Sequence, residues 1–162
     1  MTIFFKTAAA IVLALTLAAP AGTAIAMGSS SDANVGAKAN PDYAAAEKLI
    51  KAKDYKAAIP LLEKVIAAEP KNADAHNYLG YSHRGLGEKD KALVHYTKAL
   101  EINPDHRGAN EYLGRLYLIM DQLPKAEERL AKLDKLCTFG CEEYSELKKA
   151  VADYKAGKKP TS

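Results

Sequence analysis

From residue 41 onward, apolar side chains recur at three- and four-residue steps, the spacing that lines one face of an α-helix. The rhythm breaks at regular intervals. "KAKDY" (51–55), "GLGEKD" (85–90) and "MDQLPK" (120–125) form one set of breaks, and "AEPKNAD" (68–74) and "INPDHRG" (102–108) alternate with them. In the second set a proline stands just past a helix end, where it cannot continue the helix. Asp54 and Asp121 are N-cap candidates, and Pro124 falls in a first turn, where its missing N–H costs little. Pro60 lies about two turns into its helix, so a mild kink or a slightly late start is expected there. The pattern predicts antiparallel helix pairs joined by short turns.

The pairs repeat. Pro70 and Pro104 are 34 residues apart, as are Leu79 and Leu113, Gly80 and Gly114, and Ala58, Ala92 and Ala126. These anchors define units over about 39–72, 73–106 and 107–140. The period and its residues resemble the tetratricopeptide repeat family. The second unit supplies Leu79-Gly80, Ala92, Tyr96, Ala99 and Pro104 at that family's favoured positions, and the third supplies Leu113-Gly114, Tyr117 and Ala126. The third then departs, with Leu130, Leu133 and Thr138 in place of the aromatic, Ala and Pro. The first is weakest in its opening helix (Asp42, Ala45, Ala46, Leu49) but regains Ala58, Leu62 and Pro70.

The resemblance implies an all-α fold, an α-solenoid of three tetratricopeptide repeats plus a C-terminal capping helix. The residues agree with it. Ala46, Gly80 and Gly114 are small and face Ala58, Ala92 and Ala126, so paired helices can approach closely. One pair cannot bury its apolar face alone, so units must stack. Past the third unit, Tyr144, Leu147, Val151 and Tyr154 form one apolar stripe on an otherwise charged segment. That stripe marks the capping helix, over about 141–157. The repeat domain then spans 41–157, with a frayed tail at 158–162.

Ahead of the domain, "MTIFFK" carries one positive charge, "TAAAIVLALTLAA" (7–19) is apolar, and Ala24-Ile25-Ala26 offers a cleavage site. This is the order of a signal peptide over residues 1–26, and the apolar run is shorter than the ~20 residues a spanning helix needs. "MGSSSDANVGAKAN" (27–40) then reads as a flexible linker. The expected location is periplasmic or secreted, with no membrane insertion after cleavage. The net charge of +3, with both signs interspersed, argues against nucleic acid as a partner.

Candidate chemistry is sparse. Cys137 and Cys141 straddle the turn before the capping helix, and two cysteines in an oxidising compartment are most simply a disulfide. A metal or redox role for that pair is the alternative. His76 and His83 are seven helical residues apart, roughly 10 Å, too far for both to bind one ion directly, so packed imidazoles are expected and no metal site. Gly85-Leu86-Gly87 lacks the preceding strand and third glycine of a phosphate loop; it is expected to be the hairpin turn. No nucleophile and base stand in a catalytic arrangement, so neither enzymatic activity nor a cofactor is expected.

The surface remains. The resemblance implies that the first helix of each unit lines a concave groove. Carried onto this chain, its positions are Asn40, Tyr43, Ala44, Glu47 and Ile50; Asp74, Asn77, Tyr78, Tyr81 and Arg84; and Gly108, Glu111, Tyr112, Arg115 and Leu118. Tyr and Arg are enriched where proteins grip partners. Tyr43, Glu47, Asn77, Tyr78, Tyr81, Arg84, Glu111, Tyr112 and Arg115 are therefore the candidate binding residues. The Lys and Asn residues with which some family members clamp a C-terminal carboxylate are missing: Tyr43, Glu47, Tyr78, Gly108 and Tyr112 occupy those places. The expected function is a protein- or peptide-binding adaptor, with a self-associating homo-oligomeric module as the rival.

Overall fold

The computed structural model describes residues 40–158 and Pro160. The expected signal peptide, nearly all of the expected linker and most of the expected frayed tail lie outside the described residues. Seven helices follow one another: α1 (Pro41–Lys51), α2 (Tyr55–Ala68), α3 (Ala73–Gly85), α4 (Lys89–Ile102), α5 (Arg107–Ile119), α6 (Leu123–Leu136) and α7 (Glu142–Lys155). Among the described residues there is no strand, and each helix packs on the next. The first helices also meet one another, α1 with α3, α3 with α5 and α5 with α7. This is the expected all-α solenoid.

Local chemistry sets the ends. The first backbone N–H groups of a helix have no partner within it, and a side-chain acceptor satisfies one of them. Asn40 accepts from Asp42 N at 3.0 Å, Asp54 from Ala57 N at 3.1 Å and Asn72 from Ala75 N at 2.9 Å. Asp121 does not act as the expected cap. It sits in the turn with φ 55°, Gln122 occupies the N-cap, and the Asp121 carboxylate accepts from Tyr154 OH at 2.9 Å instead. That bond ties the α5–α6 turn to α7. Helix α2 starts at Tyr55 and runs through Pro60, so no late start occurs.

The helices approach closely where small residues let them. Ala46, Ala58, Ala92 and Ala126 are fully buried. Gly80, expected to make room for Ala92, makes room for a ring: a Cβ on it would lie 2.6 Å from Tyr96 Cδ1. At Gly114 the intruder would meet Leu147 of α7 at 2.5 Å. Gly85 is not a turn residue. It ends α3 against the Tyr55 ring, and Gly87, with φ 78°, takes the left-handed turn position.

Three apolar clusters run along the stack. One centres on Tyr43, Leu62, Val65 and Leu79, the next on Ala92, Tyr96, Leu113 and Leu116, and the last on Leu118, Leu133, Leu147 and Val151. Leu147 and Val151 come from α7, with Tyr144 and Tyr154 packed alongside. The helix thus covers the face that α5 and α6 would otherwise expose. No helix among the described residues is long and apolar enough to cross a membrane.

Candidate partner-binding groove

One groove of about 620 Å³ runs across α1, α3, α5 and α7. Its residues follow helical spacing: Tyr43 and Glu47 on α1; Asp74, Asn77, Tyr78, Tyr81 and Arg84 on α3; Gly108, Glu111, Tyr112 and Arg115 on α5. Steps of three and four keep each set on one face. All nine residues expected to bind a partner lie together here. Leu118 does not join them; it is 1 % exposed, in the core under α7.

The floor is aromatic. Tyr43 and Tyr78 have ring centroids 5.6 Å apart, Tyr81 and Tyr112 are 5.0 Å apart, and Tyr96 and Tyr112 are 6.1 Å apart. Such tilted pairs add attraction beyond simple burial. The Arg84 guanidinium carbon stands 5.1 Å from the Tyr81 centroid and 5.8 Å from that of Tyr112, and its Nε donates to Tyr96 OH at 3.4 Å. Arg84 is only 8 % exposed, so this charge is part of the floor rather than a free arm. Burial, with Glu111 and Tyr81 nearby, pushes the Tyr112 hydroxyl up to about 12. Tyr43 and Tyr78 are raised as well, chiefly by burial.

The walls are acidic. Tyr78 OH donates to Glu47 Oε1 at 2.9 Å. His106 caps α5 by accepting from Ala109 N on Nδ1, at 3.1 Å, which puts its proton on Nε2 facing Asp74 Oδ1 at 2.8 Å. Arg115 Nη1 donates to Glu111 Oε1 at 3.3 Å and lies 3.6 Å from Glu146 Oε2. Glu111 is 6 % exposed, and burial pushes its carboxyl up to about 7 against the opposing pull of Arg115 and Arg84. Asn77 is 5 % exposed, and its Oδ1 has no hydrogen-bond partner.

Four lining residues escaped the sequence reading: His106, placed only in a turn, and Glu142, Glu143 and Glu146 of α7. A signal for the glutamates existed. The 34-residue period that relates Asp74 to Gly108 and Tyr78 to Tyr112 continues to Glu142 and Glu146. The capping helix stands where the first helix of a fourth unit would stand.

These observations agree with comparisons to known proteins. The tetratricopeptide repeat family model matches residues 73–106. Residues 73–106 are thus a tetratricopeptide repeat. The chain is 33 % identical over 94 residues to tetratricopeptide repeat protein 37 of Xenopus laevis, covering 54 % of this chain but 6 % of that one. Among solved structures it resembles MamA from Desulfovibrio magneticus RS-1, with 32 % identity and a TM-score of 0.56 over 59 % of this chain and 54 % of that one. A MamA RS-1 double mutant gives a TM-score of 0.57 at 32 % identity, over 59 % and 53 % of the two chains. The chain thus spans about half the length of the MamA chains and a small fraction of the vertebrate relative.

Outside the groove, His95 of α4 lies between the two α3 histidines. Its ring stacks on His83 at 5.4 Å and on His76 at 5.6 Å. His76 Nε2 faces the Pro70 carbonyl at 3.4 Å, so it donates there, and its Nδ1 accepts from His95 Nδ1 at 3.3 Å. Burial holds His95 down at about 4 and lowers His76 too. Among the described residues no group of three or more His, Cys, Asp or Glu side chains is arranged to hold a metal. Cys137 and Cys141 lie side by side, Cα atoms 5.6 Å apart, within the span of a disulfide. They form the C-cap of α6 and the N-cap of α7.

Proposed function

We propose that this chain is a non-enzymatic adaptor that holds a protein or peptide partner in the groove across α1, α3, α5 and α7. The repeat fold and its MamA-like neighbours support a protein-interaction scaffold. The observation that carries the finer reading is the convergence of nine side chains from three units on one aromatic-floored cleft. Amphipathic rings give contact area at low entropic cost, and register-related rings suit an extended or helical segment lying across the units. The leader-like pattern over 1–26 supports action in the cell envelope or outside it, and the neighbouring cysteines support a disulfide stapling the α6–α7 turn.

The test is capture from the native envelope with whole protein and with Tyr81→Ala. Tyr81 is half-buried, so the variant is first checked for an unchanged helical spectrum and a cooperative melt. Wild type is expected to retain a partner that the folded variant loses. Equal capture by both overturns the groove.

A further inference from the structure

The groove carries more negative charge than its own cations offset, although Tyr78 OH serves Glu47, His106 Nε2 serves Asp74 and Arg107 Nε lies 3.9 Å from Glu143. Six carboxylates line it, from Glu47, Asp74, Glu111, Glu142, Glu143 and Glu146, against the guanidiniums of Arg84 and Arg115. Both guanidiniums are engaged. Arg84 lies against the Tyr81 and Tyr112 rings and donates to Tyr96 OH, and Arg115 is shared between Glu111 and Glu146. The chain as a whole carries +3, so the negative character is concentrated here rather than spread over the molecule.

A second observation points the same way. Asn77 Oδ1 is a buried acceptor with no donor, on a side chain 5 % exposed that lines the groove. An unserved buried acceptor costs about 1–3 kcal/mol, a cost that a ligand N–H reaching it would remove. The exposed portions of the tyrosine rings offer faces that attract cations. Negative charge in excess, an orphaned amide oxygen and aromatic faces together describe a receptor for ammonium or guanidinium groups. An anionic segment would have to reach Arg84 and Arg115 past the carboxylates.

We propose that the groove takes a basic peptide segment, an extended stretch bearing arginine or lysine side chains whose N–H groups serve Asn77 Oδ1 and the wall carboxylates. This rests on the groove being a binding site, and the experiment separates the two claims. Random dodecamer peptides displayed on phage are selected on the whole protein. The enriched sequences are then synthesised with blocked ends and titrated calorimetrically against wild type, Asn77→Ala, Glu111→Gln and Tyr78→Ala. The expected result is enrichment in arginine and lysine, affinity that falls with salt, and about tenfold weaker binding for Asn77→Ala and Glu111→Gln. Asn77→Ala also removes an unserved acceptor, so its free form is expected to melt no lower than wild type while binding worse. A purely structural asparagine would lower the melt.

Enrichment of acidic or uncharged sequences that Tyr78→Ala fails to bind would leave the groove standing and overturn its basic preference. Absence of enrichment, or binding that all three variants retain, would overturn the groove itself. A concentration-dependent dimer that selected basic peptides fail to dissociate would make a second copy of the chain the occupant and overturn the proposal.

Discussion

Glu111 and His95 titrate in opposite senses, and their opposition sets how stability responds to pH. Burial holds Glu111 at about 7, above the ordinary carboxyl, so between about pH 4.5 and 7 the folded chain holds a proton that the unfolded chain has released. Stability from this group therefore falls as pH rises through that window. Burial holds His95 at about 4, with the His76 and His83 charges adding to the effect. Between about pH 6.5 and 4 the unfolded chain binds a proton that the folded chain refuses, so stability falls as pH drops. Each substitution should expose the limb it leaves behind. Relative to wild type, Glu111→Gln is expected to gain stability steadily from pH 4.5 to 7, and His95→Gln to gain it from pH 6.5 down to 4. Urea titrations across pH 4–8 measure both. Parallel curves for wild type and variant would show that the group is not shifted.

Among the elements, contacts between helices depend on single atoms. Gly80 has no Cβ because the Tyr96 ring is in its place, and that ring is fully buried and bonded to Arg84 Nε, so it cannot step aside. Gly80→Ala gains about 1 kcal/mol of helix propensity, yet forcing a methyl into such a contact costs about 1–3 kcal/mol. Displacement of Tyr96 also disturbs its contacts with Tyr112 and Arg84, which raises the cost toward the upper figure. The expected outcome is a melting temperature lower by several degrees; an unchanged or raised value would show that the α3–α4 contact yields. Gly114→Ala should behave alike, because Leu147 stands against it.

The α6–α7 turn makes a separate prediction. A disulfide between Cys137 and Cys141 closes a short loop and is worth about 2 kcal/mol by chain entropy. Oxidised protein should show no reactive thiol until reduced, and reduction should lower its urea midpoint accordingly. Thiols that react without reductant would refute the staple. Because Cys141 caps α7, and α7 carries Glu142, Glu143 and Glu146, reduction should also weaken basic-peptide binding.

At the scale of the molecule, the 34-residue period made much of the architecture legible. Leu79-Gly80 and Leu113-Gly114 locate the helix pairs, and register from them places Tyr78, Tyr81, Tyr112 and Arg115 on one face. Departures from the period hid the rest. The capping helix lacks the Leu-Gly anchor, so its glutamates read as solvated charge. Asp121 looked like a cap because short acidic residues favour caps, but a distant tyrosine competes for its carboxylate. The meeting of His76, His83 and His95 depends on how α4 is rotated against α3, and spacing along one chain does not fix that angle. Spacing relates His76 to His83 along one helix, but the ring that stacks on both comes from α4. Self-association, the rival reading, predicts a sedimentation mass that rises with concentration, and a constant monomer mass would remove it.

The α7 glutamates stand one full period beyond Gly108 and Tyr112, which makes the cleft modular. Its length is a copy number. A duplicate of residues 73–106 spliced in after His106 would add another asparagine, tyrosine pair and arginine in register, with the acidic end wall carried outward intact. On the proposed reading, the chain is one member of a series of gauges, each expected to take a ligand longer than the last by a single repeat.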